Sequence, residues 1–290
     1  MNALKKLEDR SEKFVSIYQA VHGCSKSDAE NYFQVELFNF KQGILQNSYL
    51  SDCEEISVIG TFLEVISNGL SFDRSANHIY LIPRNTKVGN NWVKRLTYSY
   101  AADGLIQLTL QAGSISNCST PTVVFEGDEI KIRNINGTTE IDHSPSIPRK
   151  TGTILGGYCV LTFPNGSKDA FWFDISEIER LKEFSKKANK SKKNPEGKTN
   201  ELYSSGASGQ IDLGFLRTKI VKAALRNLPK RKTMQENLNE ELPELDLFGS
   251  QQFPENAPTT AGNNGIEDAV MDPTPEISGD INIDNVNMDF

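Results

Sequence analysis

The sequence predicts an α+β fold. It has a helical N-terminal region, then a small antiparallel sheet of hairpins covered by helices, then a disordered acidic C-terminal tail. Three observations carry that reading. The first fifty residues place apolar side chains at helical spacing. The middle of the chain holds short runs rich in β-branched and aromatic residues, punctuated by turn residues. From Thr233 to Phe290 the chain lacks periodicity and is rich in Pro, Asn, Asp and Glu.

Each element follows from local signals. In "ALKKLEDRSEKFVSIYQAV", Leu4, Leu7, Phe14 and Tyr18 recur at roughly helical spacing. In "SKSDAENYFQVELFNFKQGIL", Ser27 and Glu30 stand at capping-box spacing. A third helix is predicted from Glu55 to Asn68, with Gly69 just past its end. "HIYLIP" reads as a short strand stopped by Pro83, and "WVKRLTYSY" as a second strand. "DGLIQLTLQAG" reads as a helix ending near Gly113. "TPTVVFEGDEIKIRN" is expected to form a hairpin around "EGDE", and "GTILGGYCVLTFPNGSKDAFWFD" another turning at Asn165-Gly166. Asp174 or Ser176 then caps the helix "ISEIERLKEFSKKA". A Lys/Gly/Ser loop spans about 188–209, and a last helix runs from Asp212 to Asn227, closed by Pro229.

The formal charge of −7 conceals a sharp division. Residues 1–232 hold all 31 Lys and Arg against 25 acids, while 233–290 hold 13 acids and no Lys, Arg or His. A basic body joined to an acidic tail is the charge asymmetry expected of a nucleic-acid-binding protein. Cys24, Cys53, Cys118 and Cys159 are widely spaced, with no CxxC pair, and read as reduced core residues rather than a zinc site. No apolar run reaches membrane-spanning length and no signal peptide opens the chain, so a cytoplasmic protein is expected.

Charge density peaks in residues 180–232, which hold 15 Lys and Arg against Glu183, Glu196, Glu201 and Asp212. On a helical wheel Lys219, Lys222 and Arg226 fall within about 60° of one another, opposite Leu216, Ile220, Val221, Ala224, Leu225 and Leu228. One face is expected to pack and the other to present three cations in a row. Arg217 sits among the apolar residues on that wheel. Such a field attracts a polyanion through counterion release without selecting a sequence.

Other signals are weaker. "EGKTN" at 196–200 ends like a phosphate-binding loop, but Lys192 stands where the motif needs Gly. "SSGASG" at 204–209 reads as linker. Glu126 and Asp128 in "EGDE" offer a metal-dependent nuclease as the enzyme alternative, although hairpin-tip acids are more often solvated. His143 in "IDHSP" has no obvious partner. No catalytic or metal-ligating constellation stands out, which favours a binding protein.

Several stretches in order resemble the RecT/Redβ family of phage single-strand annealing proteins. They are "NGLSFDRSANHIYLIP" (68–83), "YSYAADGLIQLTLQAGSI" (98–115) and "VVFEGDEIKI" (123–132). "HSPS" and "GTILGGYCVLTF" follow, and "FLRTKIVKAALRNLP" (215–229) is similar to the family's basic closing helix. The family's Tyr-Arg-Gly or Tyr-Lys-Gly is here Tyr100-Ala101-Ala102-Asp103-Gly104. The resemblance covers about residues 55–230. It implies an ATP-independent protein that binds single-stranded DNA, pairs it with a complementary strand and holds the duplex in a ring or helical homo-oligomer. No cofactor is required, with magnesium able to assist annealing. A phage exonuclease and the host single-strand binding protein machinery are the implied partners, with no membrane.

The residues carried over as DNA contacts are Arg217, Lys219 and Arg226. The wheel adds Lys222, and Lys94, Arg95 and Tyr100 are secondary candidates, Tyr100 being weighted toward packing. The division expected is 1–52 as a helical region available for subunit contact, 53–232 as the annealing core and 233–290 as the tail. Phe14, Tyr18, Tyr32, Phe33, Phe38 and Phe40 are candidates either for that contact or for a core. The tail is expected to occupy the cationic groove when DNA is absent or to recruit partners, its "MDF" end resembling the tip of bacterial single-strand binding proteins. A structural or RNA-binding phage protein is the remaining alternative.

Overall fold

The computed structural model describes residues 2–9, 11–149, 152–190 and 195–230. The predicted tail lies outside the described residues. The chain opens with five helices: α1 (Asn2–Asp9), α2 (Ser11–His22), α3 (Lys26–Leu45), α4 (Ser48–Ser51) and α5 (Glu55–Ser67). The cap of α3 is Ser25 rather than Ser27. Its hydroxyl accepts from Asp28 N at 3.1 Å, so the cap lies two residues earlier than the Ser27/Glu30 spacing indicates. Gly69 follows α5 at φ 65°, the left-handed position expected after a helix end.

These helices enclose an aromatic core. Phe14, Phe33, Phe40, Phe62 and Phe72 are buried, with Phe33 edge-on to Phe62 at 5.5 Å and Phe62 stacked on Phe72 at 5.6 Å. Tyr18 and Tyr32 pack partly buried against it, stacked at 4.5 Å. Of the six aromatics considered for subunit contact, only Phe38 is exposed, at 62%. The others fill a core that also takes in α5 and the strands that follow, so packing runs without a break across residue 52.

The first ribbon pairs β1 (Ile79–Val88) with β2 (Asn91–Tyr100), antiparallel from Ile79 opposite Tyr100 to Val88 opposite Asn91. Pro83 does not stop the strand. It lies opposite Leu96 within a two-stranded ribbon, where a strand with one neighbour tolerates a missing N–H. The next element is α6 (Ala102–Gln111). Its Gly104 has no room for a Cβ, which would overlap the His78 carbonyl, and Ala101 N donates to that carbonyl at 2.9 Å.

The second sheet centres on β7 (Ile154–Thr162). Short β3 (Asn117–Cys118) and β4 (Thr122–Phe125) pair along one edge of β7, and β8 (Lys168–Asp174) pairs along the other. The predicted hairpin around "EGDE" is not formed. Instead β5 (Glu129–Ile135) pairs with β6 (Thr138–Ser144) as a separate ribbon. Gly127 at φ 92° turns the chain out of the sheet, while Asn136 and Gly137 at φ 52° and 82° supply the left-handed pair a two-residue hairpin needs. The Asn165-Gly166 turn between β7 and β8 is as predicted. Asp174, not Ser176, caps α7 (Ile175–Ala188), accepting from Ser176 N at 2.9 Å.

The last helix, α8 (Leu213–Leu225), lies against β4, β7 and β8, with α6 also in contact. Its Phe215, Leu216, Ile220, Val221, Ala224 and Leu225 join Val123, Phe125, Ile154, Cys159, Leu161 and Phe173 in a second core. α6 bridges the two cores: Leu108 belongs to the first, while Leu105 and Ile106 pack on the second. All four cysteines are free, Cys159 buried and the others half-buried.

Gly157 sets how closely α8 approaches the sheet. A Cβ there would lie 2.5 Å from Ile220 Cδ1 and 2.8 Å from the Thr122 carbonyl oxygen. Gly157→Ala should therefore cost about 1–3 kcal/mol, the range for overpacking a close-packed core. Chemical denaturation measures it, and a change below ~0.5 kcal/mol, typical of a neutral surface site, would contradict this packing.

Candidate nucleic-acid interface

Asp212 starts α8 by accepting from Phe215 N at 2.8 Å. Beyond it the helix departs from the two-faced pattern of the wheel. Seven of its 13 residues are buried, pointing in nearly every direction, as in a helix enclosed on most sides. Lys219 is one of them, only 3% exposed. Its ammonium lies 4.5 Å from the Phe215 ring centroid and 5.8 Å from that of Tyr203.

The expected row of three exposed cations is thus broken. Lys219 is buried, Lys222 half-buried and Arg226 exposed. Arg217, placed among the apolar residues by the wheel, is exposed. The reason is tertiary. The segment leading into α8, read as linker from its Gly and Ser content, is a packed cover. It contains 3₁₀ turns at Glu201–Tyr203 and Ala207–Gly209, and buries Tyr203 and Ile211. Tyr203 meets Phe215 edge-on at 5.1 Å and roofs the Lys219 position.

Lys94 and Arg95 lie side by side on β2, each already paired. Lys94 Nζ is 3.5 Å from Asp52 and sits over the Tyr49 ring at 5.5 Å, while Arg95 Nε donates to Glu54 at 2.9 Å. With Glu54 N donating to the Lys94 carbonyl at 2.7 Å, these pairs dock β2 onto the start of α5. Tyr100 is half-buried against the first core, edge-on to Tyr98 at 5.3 Å with the hydroxyls 3.1 Å apart. Burial and that hydrogen bond push the Tyr98 hydroxyl well above the usual tyrosine range.

Asp128 is not a solvated hairpin-tip acid. Its side chain is 1% exposed. One oxygen accepts from Phe125 N at 2.9 Å and lies 3.2 Å from His143 Nε2; the other accepts from Ser146 N at 2.8 Å. The His143 ring in turn meets Tyr158, whose hydroxyl is 3.4 Å from Nδ1. The backbone donors from Phe125 and then Ser146 hold the Asp128 carboxyl below its ordinary value of 3.8. With both oxygens engaged, Asp128 ties the β4–β5 turn to the segment after β6. Glu126 beside it is exposed. Among the described residues, no group of three or more His, Cys, Asp or Glu is placed to hold a metal.

Other exposed groups were not singled out from sequence. At the tip of the first ribbon Trp92 is 71% exposed. It stands directly opposite Lys87, so both side chains leave from the same face, which Lys94 shares two residues on. Arg84 on the same ribbon, and Lys131 and Arg133 on β5, are also exposed. The last turn of α7 adds Lys186 and Lys187, with Lys190 just beyond. The available signal for Trp92 was an aromatic beside "VGNN", a turn sequence, between two β-runs.

Fold and surface together define a class: an α+β protein that presents cations on ribbons and helix ends around packed apolar cores, a surface suited to a polyanion. The sequence model of the RecT family matches residues 38–203, more than half the chain, and the chain belongs to that family. The match runs from within α3 to Tyr203 and leaves α8 outside. No curated protein matches the chain. Family membership brings DNA binding and phage-type recombination by strand annealing as the broad function. Among the described residues, no helix is long and apolar enough to cross a membrane.

Asp128→Ala should cost about 1–3 kcal/mol, because it leaves two part-buried N–H donors without their acceptor. The folded-state carboxyl titrates below its ordinary value, so its contribution is fully present above pH 3.8 and lost as pH falls below that. Denaturation of wild type and variant across pH ~2–5 checks both. The gap between them should close toward the acid end, and a gap independent of pH would refute the assignment.

Proposed function

We propose that the protein binds single-stranded DNA and anneals complementary strands without ATP, in phage-type homologous recombination. The RecT match over residues 38–203 carries this reading, and the placement of exposed cations supports it. Annealing brings two polyanions together, which a cationic surface must screen. That surface should hold phosphates and leave base edges free, since complementarity is tested by pairing. Arg217 and Arg226 suit the task by exposure, and half-buried Lys222 by position. Lys219 takes a packing role here, and Lys94 and Arg95 act chiefly in holding β2. Trp92, beside Lys87, offers a stacking platform for an unpaired base. The working form is a homo-oligomer in the cytoplasm, with magnesium assisting but not required, and with an exonuclease and single-strand binding protein machinery as partners.

Annealing of two complementary oligonucleotides, without nucleotide cofactor, tests the reading. Wild type should accelerate pairing. Arg217→Ala/Arg226→Ala should slow it and flatten the salt dependence of single-strand affinity by about one to two ion equivalents, at ~0.7 per phosphate contact. Lys219→Met, which keeps an unbranched apolar stem, should leave annealing near wild type. No acceleration by wild type would remove the function. Loss in Lys219→Met alone, with the fold intact, would restore the wheel-based assignment.

Trp92→Ala should weaken single-strand binding by about 1–3 kcal/mol, the usual worth of one base–aromatic stack. Its fluorescence should be quenched on binding. Unchanged affinity and fluorescence would exclude Trp92 from the interface.

A further inference from the structure

The segment 233–290 is a polyanion with no countercharge of its own: 13 carboxylates and no Lys, Arg or His. Every cation within the chain that could neutralise it lies before Thr233, and those cations are densest immediately before it.

The structure fixes where this segment begins. Lys230 Nζ donates to the carbonyls of Leu225 at 3.1 Å, Arg226 at 2.8 Å and Leu228 at 2.9 Å, so Lys230 closes the end of α8. Ser114 Oγ donates to the Pro229 carbonyl at 2.7 Å and pins the same point to the loop after α6. Segment 233–290 therefore begins three residues beyond an anchored position, and its first carboxylate is Glu236.

The structure also ties the two cation-bearing helices to one another. Asn200 N donates to Ser185 Oγ at 3.1 Å, and Asn189 Nδ2 donates to the Lys198 carbonyl at 2.7 Å. The segment containing Lys198 and Asn200 is thereby held on the end of α7. It continues to Tyr203, which packs on Phe215 of α8. Exposed Lys186, Lys187 and Lys190 are thus tied through one packed segment to the helix that bears Arg217 and Arg226.

We propose that the acidic segment 233–290 docks on the exposed cations of α7 and α8 and competes there with single-stranded DNA. The inference rests on the DNA-binding reading above and adds the regulation of that same surface. Reach is not limiting. At ~3.3 Å per residue the 58 residues from 233 to 290 have a contour of about 190 Å, whereas α8 with its 13 residues spans ~20 Å. Tethering keeps the carboxylates at an effective concentration on the order of millimolar. Weak binding sites for DNA, off-register or too short to displace the whole segment, lose the competition, while a long strand that engages many cations wins it. Because both ligands are held by charge, the competition is strongest at low salt and is screened as salt rises.

The test uses the full chain with all 13 carboxylates of 233–290 replaced by their amides. Its affinity for a polythymidine oligonucleotide is compared with wild type over a salt series, and equal denaturation curves confirm that the core is intact. The expected result is binding about tenfold tighter at low salt in the neutralised chain, a modest share of the 10²–10⁴ that tethering can supply. The gap should narrow as salt rises. A separate peptide of residues 233–290 should weaken DNA binding of the neutralised chain at millimolar concentration. Equal affinity of the two chains at low salt, with DNA bound by both, would overturn the docking proposal and leave the DNA-binding function standing. DNA bound by neither chain would overturn both.

Discussion

The contact on which the C-terminal half depends is the one between α8 and β7. Gly157 leaves Ile220 room to reach the sheet at a distance that admits no Cβ. A helix set that deep cannot keep an open polar face. It is closed from below by β4, β7 and β8 and elsewhere by α6 and the Tyr203 segment. Gly157 therefore has a packing consequence that extends to the cations on the helix.

That depth redistributes charge. Lys219 goes inside, where two aromatic rings face its ammonium, and Arg217 stays outside. Arg226 near the end of the helix and Arg84, Lys87, Lys131 and Arg133 on the ribbons lie at the surface. The same economy governs Lys94 and Arg95, whose charges meet Asp52 and Glu54 and fix β2 against α5. A basic residue in this chain can thus serve as a fastener, and its neighbours show where it does.

Buried acids follow the same logic. Glu36 is 3% exposed and accepts from Ser71 Oγ at 2.7 Å and Phe72 N at 2.6 Å, holding the segment before β1 against α3. Burial raises its carboxyl above the ordinary value, whereas Asp128, met by two backbone donors, is held below it. The sign differs because desolvation is the largest influence on Glu36 and hydrogen bonding is the largest on Asp128. Both are joints between segments far apart in sequence.

Local patterning by itself determined much of this protein. Periodicity placed the helices, Asn165-Gly166 placed a hairpin, and Asp212 and Gly69 marked helix ends, because these signals act over a few residues. The ordered short motifs were enough to indicate the RecT family, and the charge division is a property of composition. Tertiary structure alone decided the strand partners of β4 and β5, the continuation of β1 through Pro83, the burial of Lys219 and the exposure of Trp92. A helical wheel assumes one packed side. The Tyr203 segment supplies a second, from residues whose Gly and Ser content signals a linker. Which face of a helix meets water is set by what lies across from it, and that partner is remote in the chain.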